Sequence, residues 1–121
     1  MKLKYSEVKP LREKLLSEQD ARCALCEQLV LEDAVLDHDH KTGVIRGVLH
    51  RGCNALLGKI ENNMPRNRID LGRMARIADN LIKYITADAR SEFLHPTFKT
   101  PEERKMKAYK KKKPVKPPKR Y

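Results

Sequence analysis

The chain has 121 residues, 40% of them hydrophobic but only 5% aromatic, and carries a formal net charge of +11. That length suits one domain, and so thin an apolar supply calls for a metal, staple or partner to offset chain entropy. Its three cysteines exclude a disulfide framework, and no apolar start or run of roughly 18 uncharged residues marks export or a membrane span, so a soluble, cytoplasmic protein with reduced thiols is expected.

Leu11, Leu15 and Leu16 recur at helical spacing after Pro10 and predict a short helix near residues 10 to 19. The first cysteine pair follows it. Ala34 to Asp39 and Val44 to Leu49 are short β-rich runs parted by Lys41-Thr42-Gly43, which predicts an antiparallel hairpin. After Cys53, the run from Asn54 to Ile60 reads as a short helix halted by Asn62-Asn63 and Pro65.

Leu71, Met74, Ala78, Leu81, Ile82 and Ile85 form one apolar stripe, predicting the longest helix near residues 69 to 86 with Asp70 in its first turn. The stripe either covers the hairpin core or forms a dimer seam. Past His95-Pro96 little regular structure is expected. The fold class is therefore a small α+β protein, a β-hairpin plus helix with flanking helices. Residues 1–100 form its domain, and 101–121 form a flexible basic tail rich in Lys and Pro.

The charge is unevenly spread. Ten of the 27 Lys and Arg residues lie in 104–121 without one acid, leaving seventeen basic against all sixteen acidic residues in the remainder. The tail reads as an arm for polyanions, with a solvated solubility segment or a targeting signal as the plainer alternatives.

Cys23-Ala-Leu-Cys26 and His50-Arg-Gly-Cys53 are two ligand pairs, each with a two-residue gap, flanking the predicted hairpin. A gap of that length lets a tight knuckle aim both side chains at one ion, and four such ligands complete the tetrahedron of structural zinc. Because all three cysteines are used, their reading as ordinary buried apolar residues is the weaker one. Between the knuckles lies Asp37-His38-Asp39-His40, acids and imidazoles that are costly to bury without metal or hydrogen-bond partners.

The knuckles, Asp37-His38-Asp39-His40, and the run Gly43-Val-Ile-Arg46-Gly47-Val-Leu-His50-Arg-Gly-Cys53-Asn54 together resemble the recombination endonuclease VII family of phage nucleases, which have the His-Me (ββα-metal, HNH-like) finger. The resemblance is specific from about Arg22 to Gly58 and weaker through the long helix to His95-Pro96-Thr97-Phe98. Cysteine is common in the family where His50 stands, and the family's further helical domain is replaced here by the basic tail. The resemblance implies zinc on Cys23, Cys26, His50 and Cys53, and His38 as general base. It also implies catalytic magnesium or manganese on Asp37 and Asn54.

The chemistry of the residue types is consistent with those roles. Imidazole can take a proton from water, and carboxylate and amide oxygens suit a hard cation that stabilises a leaving oxygen. Asn54, near the start of its helix, would also lie close to free amides that favour phosphate. Neighbouring strand residues face opposite ways, so Asp37 and His38 can share a phosphate only across a bulge or strand end. His40 either orients phosphate or pairs with Asp37 or Asp39. Arg46 and Arg51 either meet DNA backbone or face solvent.

The expected activity is thus that of an endodeoxyribonuclease on branched, Holliday junction-like, or distorted duplex DNA, leaving 5′-phosphate and 3′-hydroxyl ends. Its setting would be the host cytoplasm if the gene is phage-borne, and two sites on opposing strands would require a homodimer. A less selective nicking nuclease and a zinc-dependent DNA-binding module without catalysis are the alternatives. A cross-braced protein-interaction module would need more ligands than the chain offers.

Overall fold

The computed structural model describes residues 1–87 and 92–112. Two units are distinguished, Met1–Asn80 and the chain from Leu81 onward; the site lies in the first. Glu7 decides where the first helix starts: its carboxylate accepts the Lys4 amide N–H at 2.9 Å while its own amide donates to the Lys4 carbonyl. Helix α1 therefore spans Tyr5–Glu18 and begins before Pro10, which sits inside it. The expected start at Pro10 overlooked this cap.

The segment after α1 folds back through Asp20 and Ala21, both at positive φ, into a tight loop bridged between Arg22 and Leu29. Strands β1 (Ala34–His38) and β2 (Ile45–His50) then pair antiparallel, from Ala34 opposite His50 to His38 opposite Ile45. The intervening turn is held by Asp39, whose carboxylate accepts the Lys41 and Thr42 amides at 2.7 and 3.3 Å. Gly43 supplies the turn's φ of +77°. An irregularity falls where a bulge or strand end is expected, but the bulge is on the facing strand: Asp37 pairs with Gly47 and His38, the last residue of β1, with Ile45, so the extra residue is Arg46, on β2.

Helix α2 spans Arg51–Arg66, longer at both ends than the expected 54–60. It starts early because Asp33 caps it, accepting the Arg51 amide through its carbonyl at 2.9 Å and its carboxylate at 3.3 Å. That contact occupies one of the amides expected to stay free for phosphate. Asn62 and Asn63 do not halt the helix, and Pro65 falls in its last turn. Helix α3 spans Leu71–Thr86, matching the expected stripe, with the Asp70 carboxylate accepting the Arg73 amide at 2.8 Å from just before the first turn.

The core is small. Cys23, Val30, Val48 and Leu49 are buried, and Leu16, Ala34, Cys53 and Leu57 pack around three of them. Helices α1 and α2 cover the hairpin, a task that one reading of the sequence assigned to α3. The start of α3 instead faces α2 across a cleft of about 300 Å³ lined by Leu56, Ile60, Met64, Ile69, Met74 and Ile77. Leu81, Ile82 and Ile85 are exposed.

In the second unit, the segment expected to be extended contains helix α4, Pro101–Lys111. Local signals account for it. Thr100 caps the Glu103 amide at 3.1 Å, Pro101 opens the helix, Glu102 and Glu103 occupy the first turn, and Lys110 and Lys111 the last. The rest of the expected tail, 113–121, lies outside the described residues.

Candidate metal centre and active site

The tight loop after α1 points Cys23 and Cys26 toward the end of β2, where His50 closes the strand and Cys53 stands in the first turn of α2. One ligand atom from each of the four lies within 4.8 Å of all the others. Sγ of Cys26 is 3.3 Å and Sγ of Cys53 3.8 Å from Nδ1 of His50. On its far side the ring donates through Nε2 to the Leu29 carbonyl at 2.8 Å, which fixes the tautomer that leaves Nδ1 for a metal.

The electrostatics agree with a ligand cluster. Burial raises the Cys23 thiol, but amide donors led by that of Cys26 outweigh it and bring the pKa down to about 6. The Leu29 carbonyl and the facing sulfurs raise His50 to about 9, and burial with the neighbouring thiols raises Cys53 to about 11. Three thiols and one imidazole converging at this range suit tetrahedral zinc and leave no position for substrate. The expected ligand set is thus brought together.

The second expected set is distributed differently. Asp37 is only 5% exposed, and both its oxygens are taken by Arg46, Nε to Oδ2 at 2.8 Å and Nη2 to Oδ1 at 3.2 Å. The same guanidinium reaches α2, bonding both Glu61 oxygens at 3.0 Å. These bonds hold the Glu61 carboxyl below its usual range and the Arg46 guanidinium above its own. Arg46 therefore stays exposed at the surface, but four of its N–H donors are engaged by the two carboxylates.

His38 is exposed, and its ring lies 4.7 Å from that of His40 at an interplanar angle of 53°. His40 thus makes a tilted ring contact with His38, while Asp39 belongs to the turn. His38 also lines a cleft of about 680 Å³ with Lys2, Leu3, Thr42, Gly43, Val44 and Ile45. Asn54 is half-buried, seven residues before Glu61 and so on the same side of α2. Among the described residues no hydrogen bond links its side chain to Asp37 or His38.

A family model for recombination endonuclease VII matches residues 1–87. The chain belongs to the recombination endonuclease VII family. The match spans α1, the knuckles, the hairpin, α2 and α3, and stops before α4. Membership implies a nuclease, with DNA as its substrate. Among the described residues, no helix is long and apolar enough to cross a membrane.

Sequence reasoning missed two contributors to this endonuclease VII site. Glu61 reads in the sequence as one more helix charge, although a carboxylate seven residues after Asn54 marks a shared face. Gln19 gives no signal, because besides the nearby Arg22 carbonyl its side chain bonds Val48, 29 residues away.

Proposed function

We propose that the chain is a divalent-metal-dependent DNA endonuclease in which His38 takes a proton from the attacking water and Asp37 and Asn54 hold magnesium or manganese. The observation that carries this reading is the state of Asp37. A nearly buried carboxylate with a guanidinium on both oxygens is a site built to hold positive charge, and the amide oxygen of Asn54, on the helix that carries Glu61, would be the second oxygen donor for a hard cation. When bound, such an ion supplies charge that stabilises the leaving 3′ oxygen.

The residues of the chain do the remainder. Exposed His38 accepts the water proton as the water oxygen joins phosphorus and the bond from phosphorus to the 3′ oxygen breaks; the 3′ oxygen takes a proton from solvent water, leaving 5′-phosphate and 3′-hydroxyl ends. His40, in tilted contact with His38, limits the orientations its ring can take and orients the phosphate. Zinc on Cys23, Cys26, His50 and Cys53 fixes the hairpin to the start of α2 and takes no part in the chemistry. Branched or distorted duplexes are the preferred substrates, cut by a homodimer whose seam uses the exposed apolar residues of α3.

The Asp37–Arg46–Glu61 network also suits a second reading, a DNA-binding module in which these charges only clamp hairpin to helix. Nicking of supercoiled plasmid with magnesium separates the two. His38→Gln, with zinc content and fold confirmed, is expected to lower the rate by about 10²-fold or more. Equal cutting by both proteins removes His38 from the mechanism, and no cutting by the wild type leaves the binding module. Comparison of a four-way junction with linear duplex tests branch preference.

A further inference from the structure

Four of the five N–H donors of the Arg46 guanidinium are in use. Nε and one Nη2 proton hold Asp37, while the other Nη2 proton and one from Nη1 hold Glu61. The two carboxylates thus take different edges of one planar cation. Asp37 occupies the Nε–Nη2 edge and Glu61 the Nη1–Nη2 edge, each with two parallel bonds.

Arg46 is also the residue that the bulge leaves without a strand partner. Its placement is therefore set by the two carboxylates and by the local bend of β2, not by the ladder. A divalent ion approaching Asp37 competes with these bonds, because the carboxylate is nearly buried and the guanidinium lies on both of its oxygens. Glu61, on a different element, keeps its own pair when that happens, so the arginine has somewhere to remain.

We infer that Arg46 is a positioning residue that acts as the protein's own cation at the candidate catalytic site: it holds Asp37 until a divalent ion takes that carboxylate. It then stays tethered by Glu61 with its Nε–Nη2 edge turned free for a phosphate oxygen pair. This rests on the reading of Asp37 as a metal-binding residue. The device keeps a nearly buried carboxylate paired at every stage, which avoids the cost of an isolated charge. It also delivers a fork-shaped phosphate donor only to the metal-loaded protein.

The test measures manganese binding by electron paramagnetic resonance on the zinc-loaded full chain, without DNA. Arg46→Met is expected to tighten binding about tenfold, the scale of one charge-assisted hydrogen bond, and Asp37→Asn to abolish it. Arg46→Lys, which keeps the charge but not the fork, is expected to fall between wild type and Arg46→Met. Adding Glu61→Gln to Arg46→Met is expected to change nothing further, because Glu61 acts only through the arginine. Unchanged affinity in Arg46→Met, or a further loss in the double variant, overturns the inference.

A measurement on the wild type covers the case in which these variants do not fold. Magnesium titration followed by nitrogen-15 NMR is expected to shift the Arg46 Nε–H resonance and speed its exchange with water. An Nε–H signal that stays put through saturation overturns the inference. Plasmid cutting keeps this failure distinct from failure of the nuclease reading: cutting with an unmoved Arg46 removes only the arginine device, and an Arg46 that responds to metal in a chain that does not cut removes only the nuclease.

Discussion

The Gln19 side chain binds the backbone of Val48 on both sides, accepting its amide N–H at 2.9 Å and donating to its carbonyl at 2.9 Å. The Ala24 amide joins at the same carbonyl, at 3.1 Å. The outer edge of β2 is thereby closed by the segment carrying Cys23 and Cys26, and zinc knuckle and hairpin become one body. Gly47 permits the approach, since a Cβ there would lie 3.1 Å from Oε1 of Gln19.

Gln19→Ala should therefore destabilise the protein by about 2 kcal/mol, the cost of leaving the amide N–H of fully buried Val48 without a partner while its carbonyl keeps the Ala24 amide. Urea unfolding of zinc-loaded protein measures it. A loss within about 0.5 kcal/mol, as for an ordinary surface change, would mean that water replaces the amide.

Zinc removal should abolish cooperative unfolding, because four buried apolar side chains make too small a core to hold the hairpin alone. Binding should also release protons at neutral pH. His50, raised to about 9, and Cys53, raised to about 11, are both protonated there without metal and must both lose the proton to ligate. Apparent affinity should consequently rise with pH through this range. Calorimetry in buffers of different ionisation enthalpy reads the release, and heat independent of buffer would contradict it.

Glu61→Gln should cost about 0.5 kcal/mol at neutral pH, a value reduced because the carboxylate is more than a third exposed. The bond to Arg46 depresses the folded-state pKa of Glu61 below 4.5. Its contribution is therefore complete above 4.5 and lost as pH falls through the lower, folded value. Wild type and variant should converge in acid, and a difference that persists in strong acid would point to packing instead of charge.

Deleting 104–121, which removes ten basic and no acidic residues, should flatten the dependence of DNA affinity on salt, by roughly 0.9 in log–log slope for each phosphate that the arm neutralises. Cutting of saturating substrate should persist, because the family match ends at residue 87. Titrations between about 50 and 200 mM salt test this, and an unchanged slope would remove the arm from DNA binding.

Local chemistry made much of the molecule legible beforehand. Two-residue ligand gaps identified Cys23, Cys26, His50 and Cys53, the turn at Gly43 located the hairpin, and apolar spacing located α3. The conflict between Asp37 and His38 on one strand called for a bulge or a strand end; His38 is the last residue of β1, and the bulge lies opposite it, on β2. Helix ends were less legible: Glu7, Asp33 and Thr100 extend or create helices through capping hydrogen bonds that no periodicity announces.

The sequence by itself determined the four knuckle ligands and the places of the hairpin and of α3, because ligand spacing and side-chain period act over a few residues. Only the tertiary structure decided that Arg46 shares its guanidinium between Asp37 and Glu61 and that Gln19 closes the edge at Val48. Those partners are 9, 15 and 29 residues apart, and a bond across such a separation depends on chain geometry that no local pattern encodes.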